Sequence, residues 1–172
     1  MPIQRLNHAV LYVRNVEESV AFYEGLLGFR TSVHLRGRAA FLLAPDSDND
    51  HDLGLFQIGP DAAPSDAGRR TVGLYHLAWE VDTLGELKRI RKVLLDAGSL
   101  VGESDHTTTK ALYAKDPDGL ELEVSWLVPV EELTEELLEG RMQIKPLDID
   151  AEIARYGADT PGLHGRPVTP VS

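Results

Sequence analysis

One order of strand-like and helix-like segments occurs twice in this chain, and that repeat constrains the fold more than any other feature. Residues 6–13, LNHAVLYV, alternate as a strand with His8, Val10 and Tyr12 on one face. Asn15 then opens a helix, with Glu18 three residues on in capping-box position. Val16, Val20, Tyr23 and Leu27 give that helix an apolar stripe, and Gly28 ends it. Three strand-like runs follow: FRTSVHLR, RAAFLLAP and DLGLFQIG. Residues 60–72 hold two prolines and a glycine among polar residues and read as a linker. The pattern then restarts. LYHLAWEVD is a strand, Thr83 with Glu86 is a second capping box, and Leu84, Leu87, Ile90, Leu94 and Ala97 form a second stripe closed by Gly98. SLVGES, KALYAKD and ELEVSWLV complete the repeat.

The expected fold is therefore α+β, built from two tandem βαβββ modules at residues 1–59 and 73–128. Two half-sheets with one order of elements pack most economically as paired halves around a shared cleft. Residues 129–172 leave the pattern. VEELTEELLEGR predicts an acidic amphipathic helix, LDIDAEIARYG a short one, and the last dozen residues a Pro/Gly-rich, disordered tail. This C-terminal helical extension is expected to pack on the body or on a partner subunit.

Composition excludes several roles. A net charge of −11 opposes binding to nucleic acid and to anionic membranes, both of which attract Lys/Arg-rich surfaces. The chain has no cysteine, so disulfides, thiolate metal sites and a cysteine nucleophile are ruled out, which fits a reducing compartment. MPIQRLNHAV carries no signal-peptide pattern, and no run of about 18 apolar residues is present to span a bilayer. A soluble, cytoplasmic protein is expected.

The residues that can carry chemistry recur with the repeat. His8 and His76 occupy the first strands of the two modules, 68 residues apart. Glu121 and Glu123 share one face of the final strand, because strand side chains alternate. Two histidines and a carboxylate from three strands can form the facial triad of Fe(II) or Mn(II) sites, with three coordination positions left open. A single strand histidine is ordinarily a buried, hydrogen-bonded imidazole, but recurrence at the repeat period argues for a ligand. Glu80 shares the face of His76 and reads as a fourth ligand or as a group that supports one. His34 and His164 read as solvated, and Trp79 and Trp126 as core. The stretch DSDNDHD begins like a calcium loop at Asp46, Asp48 and Asp50. Its sixth position is His51 rather than glycine and its twelfth is Gln57 rather than glutamate, so that reading fails.

LNHAVLYVRNVEESVAFYEGLLGFR, YHLAWEVD and YAKDPDGLELEV together resemble the vicinal oxygen chelate superfamily of glyoxalases, bleomycin-resistance proteins and extradiol dioxygenases. The resemblance covers roughly residues 4–127. It implies paired βαβββ modules holding a divalent metal on an open sheet face, with His8, His76 and Glu123 as ligands and Glu121 as a substitute. One repeat before Glu123 falls Leu55, with no carboxylate beside it. A fourth ligand of the glyoxalase or epimerase kind is thus missing. HDLGLF and SDHTTTKALYAKDPDG are similar to stretches of the extradiol dioxygenases. That similarity implies His51 as the acid/base, Tyr113 as the hydrogen-bond partner of a deprotonated substrate oxygen, and His106 as a positioning group. A catechol chelates a metal through adjacent oxygens, and a histidine titrating near neutrality can take and return the proton. The expectation is an Fe(II)-dependent catechol 2,3-dioxygenase type of enzyme, with Mn(II) as the alternative metal. Its partners are a catecholic small molecule, O2 and further copies of itself in a homodimer or higher homo-oligomer. Two rivals stand beside it: a lyase or transferase of the glyoxalase or fosfomycin-resistance type, and a metal-free binding protein of the bleomycin-sequestering type.

Overall fold

The computed structural model describes residues 2–163, and the tail from residue 164 on, His164 included, lies outside the described residues. The described residues form two compact units: residues 2–71 with Asp116–Leu120, and Val72–Lys115 with residues 121–163.

In the first unit, β1 (Ala9–Val13), α1 (Val16–Leu27), β2 (Arg30–Leu35), β3 (Ala39–Leu43) and β4 (Leu53–Gln57) follow the predicted order. Asn15 caps α1 by accepting from the Glu17 and Glu18 amides, while Gly28 closes it in a left-handed conformation at φ 78°. The sheet order is β1-β4-β3-β2, with β1 and β4 parallel. Leu11, Val13, Leu42, Leu53 and Leu55 are buried on one face of this sheet, and Val16, Val20 and Tyr23 are buried on the helix. Each such side chain taken from water contributes about 1.5–3 kcal/mol. The other face carries Val10, Tyr12, Phe41 and Phe56 by alternation. Gly54 is buried there, and a Cβ on it would sit 3.3 Å from the Val10 side chain and 3.6 Å from the Phe41 ring.

In the second unit the same order returns as β5 (His76–Glu80), α2 (Leu84–Asp96), β6 (Leu100–Asp105), β7 (Thr109–Lys115) and β8 (Glu121–Leu127). The Thr83 hydroxyl caps α2 at the Glu86 amide. The sheet order β5-β8-β7-β6 repeats that of the first unit, with β5 and β8 parallel. Leu112, Ala114, Leu122, Val124 and Trp126 are buried on one face, as are Leu84, Leu87, Ile90 and Leu94 on α2. The expected α+β fold is present, with two four-stranded sheets of the same element order and helices in the C-terminal extension.

The extension departs from prediction in one place. VEELTEELLEGR is not one helix but a short 3-10 turn, Val130–Glu132, followed by α3 (Glu135–Gly140). Thr134 is extended at φ −105° and ψ 163° and its hydroxyl accepts from the Leu137 amide, so the chain restarts a helix there. The second predicted helix is α4 (Ile149–Tyr156), capped by Asp148. It is tied to α2 through Lys88 and Asp150, 2.5 Å apart, and the Gly85 amide donates to the Ala158 carbonyl at 2.8 Å.

The DPDG turn between β7 and β8 belongs to the first unit. Asp116 Oδ1 accepts from the Asp118 and Leu120 amides, and Gly119 adopts φ 82°. The Tyr23 hydroxyl on α1 donates to Asp116 Oδ2 at 3.4 Å, and Arg14 pairs with Asp118 at 2.9 Å. Burial is the chief cause that raises the Asp116 carboxyl from 3.8 to about 6, outweighing the Leu120 amide, which favours the charged form. The folded chain therefore binds this proton more tightly than the unfolded one. Its contribution to stability is complete below about pH 3.8 and is lost as pH rises through about 6. Replacing Asp116 with Asn should flatten the stability profile between pH 4 and 7 by up to about 3 kcal/mol, measured by urea titration.

Candidate functional site

Parallel pairing assembles the polar residues of each unit. β1 and β4 enter their sheet from the same end with Ala9 opposite Leu53, so the residues just before them become neighbours. His8 and His51 therefore meet with ring centroids 4.4 Å apart. His8 stands immediately before β1 rather than inside it as the alternation predicts, and its Nδ1 lies 2.7 Å from Asn7 Oδ1. Nδ1 of His51 lies 3.0 Å from the Asp50 carboxylate. A carboxylate only accepts, so Nδ1 is the donor of this contact, and in the neutral tautomer that makes it Nε2 is the free acceptor. The Phe41 ring lies T-shaped to the His51 imidazole, with ring centroids 5.0 Å apart.

The acidic stretch before His51 is a tied turn. Asp52 accepts from the Ala44 amide, Ser47 Oγ and Asn49 Nδ2, and Asp48 pairs with Arg5 at 3.2 Å. These carboxylates hold the entry to β4 and do not converge on a cation. His34, read from sequence as solvated, lies on an exposed strand with Nε2 3.0 Å from Glu17.

In the second unit the ladder sets His76 opposite Glu121 and Ala78 opposite Glu123 on β8, and Tyr113 of β7 opposite Glu123. His76 Nε2 and Glu123 Oε2 are 3.2 Å apart, both largely shielded from solvent. An imidazole nitrogen and a carboxylate oxygen that face each other are donor types a divalent metal takes, so the pair fits one by its chemistry. Among the described residues, no three His, Asp or Glu side chains form a ready-made cluster, and His8 belongs to the other unit.

Tyr113 and His106 come together as well. His106 Nε2 lies 3.1 Å from the Tyr113 hydroxyl, and the His76 and Tyr113 ring centroids are 6.0 Å apart. Two residues absent from the sequence reading complete this side. Ser104 Oγ lies 2.8 Å from His106 Nε2 and 3.3 Å from the Tyr113 hydroxyl. Its signal was alternation, since Ser104 stands opposite Ala111 on the face that holds Tyr113. Tyr75 is largely exposed and tilts against His76 at 4.6 Å. The Glu121 carboxylate beside it is the main cause that raises its phenol pKa, because a phenolate there would face a like charge. An aromatic residue next to the strand histidine was the available cue.

The profile of the Glyoxalase/Bleomycin resistance protein/Dioxygenase superfamily matches residues 5–124. The chain is 32% identical over 119 residues to "Catechol-2,3-dioxygenase" of Bacillus subtilis, a match that takes in 69% of this chain and 40% of that protein. It thus spans well under two thirds of that relative's length. "Virulence protein STM3117" of Salmonella typhimurium is 28% identical over 134 residues, covering 74% of this chain and 88% of the relative. Among solved structures, a glyoxalase/dioxygenase from Nostoc punctiforme superposes with a TM-score of 0.59 at 24% identity, covering 71% of this chain and 90% of its own; this likeness speaks for the fold.

Proposed function

Since the chain belongs to the Glyoxalase/Bleomycin resistance protein/Dioxygenase superfamily, we propose that it is an extradiol-type dioxygenase that opens a catecholic ring with O2, using Fe(II) or Mn(II). The observation that carries this reading is the polar face of the second sheet. There a facing His–Glu pair, His76 with Glu123, adjoins a hydrogen-bonded Tyr113–His106 pair. Members of this superfamily typically bind a metal, and the likeness to a catechol-2,3-dioxygenase supports the choice of chemistry.

On this reading His76 and Glu123 would hold the metal, with His8 as the third ligand that the family resemblance implies. Such a metal would supply Lewis-acid chemistry that lowers the pKa of catechol hydroxyls bound to it. The other roles fall to the chain itself. His51, its Nδ1 held by Asp50, uses Nε2 to take a proton from a catechol hydroxyl and to return it as the ring opens. Tyr113 donates to the deprotonated substrate oxygen, and its hydroxyl is oriented by His106 and Ser104. Phe41, Val10 and Phe56 supply an apolar face near His51 against which an aromatic ring can lie.

A lyase, a transferase or a drug-sequestering protein would leave the Tyr113–His106 pair without a task. The experiment is oxygen uptake by Fe(II)-loaded protein, prepared without air, across a panel of substituted catechols. Uptake with at least one catechol, alongside a yellow ring-opened product, is expected. No uptake across the panel by metal-replete protein would overturn the reading.

A further inference from the structure

Residues beyond the superfamily match reach back to the loop that carries His106. That loop contains Thr107, which has a left-handed backbone at φ 63° and is the one non-glycine residue so placed among the described residues. A β-branched side chain resists this conformation, which persists only where surrounding contacts over-determine it. Here the extension supplies the contacts. Thr107 is buried, and its hydroxyl donates to the Leu137 carbonyl of α3 at 2.7 Å. Its methyl lies against Gly140, where an added Cβ would come within 2.9 Å of Cγ2.

The residue on the other side of His106 is tied to the extension too. Asp105 exchanges both backbone hydrogen bonds with Lys145, at 2.8 and 2.9 Å. Its side chain accepts from the Thr107 amide at 2.7 Å and from Lys110 at 2.6 Å. Lys110 is almost completely buried, and its ammonium also meets Glu152 of α4 at 2.9 Å. His106 thus stands between two residues anchored on one appended segment, with its Nε2 toward Tyr113 and Ser104.

We propose that the C-terminal extension is a positioning element of the site: Leu137 and Gly140 hold Thr107 in its left-handed conformation, and Thr107 so held aims the His106 ring at Tyr113. Thr107 is a positioning residue, and its bearing on ring cleavage rests on the function proposed above.

Thr107→Val keeps the branched shape and removes only the hydroxyl, whereas Thr107→Ser keeps the hydroxyl. Both are compared with the parent as full-length chains. The direct readout is the imidazole ¹⁵N and ¹H resonances of His106, recorded without metal or substrate. T107V should shift them to the values of a solvated imidazole, and T107S should retain those of the parent. Turnover of the Fe(II)-loaded T107V protein should fall at least about tenfold with KM nearly unchanged, since misplacing a reacting group by an ångström costs up to about 10²-fold. T107S should restore it. Gly140→Ala, which presses on the Thr107 methyl, provides the second variant should T107V fail to fold by near-UV circular dichroism. Parent-like His106 resonances in a folded T107V or G140A chain would overturn the proposal, as would equal losses in T107S and T107V. If the parent cleaves no catechol, the functional reading fails, while the resonances still decide the positioning role.

Discussion

Replacing Glu123 with Gln is expected to weaken divalent metal binding more than about 10²-fold and to abolish ring cleavage with it. The amide keeps the size and one oxygen of the carboxylate but loses the charge that attracts a cation facing His76 Nε2, 3.2 Å away. A change in a ligand's hydrogen-bonded support alone costs about 10–100-fold in affinity, so losing a charged ligand should exceed that range. The informative control is Glu121→Gln. Glu121 shares the strand and the face but lies opposite His76 in the ladder, beside the Tyr75 phenol. Its removal should leave metal affinity near that of the parent, measured by calorimetric titration with Mn(II). Equal losses in both variants would mean that Glu121, not Glu123 alone, holds the ion.

The second large effect is expected at His51. Ala in its place should leave the metal bound and slow turnover by about 10²–10⁴-fold, the range for a removed acid/base group. The geometry gives a reason for separating the two roles. His51 touches two rings, His8 at 4.4 Å and Phe41 at 5.0 Å between centroids, and its Nδ1 lies 3.0 Å from Asp50. These contacts orient the imidazole and leave Nε2 as the nitrogen that can exchange a proton with a substrate. Metal content after anaerobic purification and kcat, measured on the same preparation, test this together. Parent-like metal content with slowed turnover is expected; loss of the metal instead would make His51 a ligand.

The parts legible in the sequence were those written by local chemistry. Asn15 and Thr83 start helices with their own side chains, Gly28 stops one where only a left-handed residue fits, and period-2 alternation marks the strands. The repeat carried the rest, because two equal segments with one pattern must build equal sheets. The break in VEELTEELLEGR was harder to see. Thr134 can sit inside a helix or cap one, and the tertiary contacts of Leu137 and Thr107 favour the cap. His8 fell just outside its strand because pairing, not alternation, decides where a strand begins. Ser104 looked like an ordinary strand residue, and only the antiparallel register of β6 with β7 brings it to His106 and Tyr113. Thr107 carried no local signal at all. Its left-handed backbone is imposed by residues 30 or more positions later in the chain, which no local pattern encodes.

Extradiol cleavage puts both atoms of dioxygen into the opened ring. Fe(II)-loaded protein should be given a catechol that supports oxygen uptake under ¹⁸O2, and the product examined by mass spectrometry. A ring-opened semialdehyde carrying two ¹⁸O atoms is expected, with one O2 consumed per product formed. A quinone without label, or oxygen consumed with no ring-opened product, would contradict it.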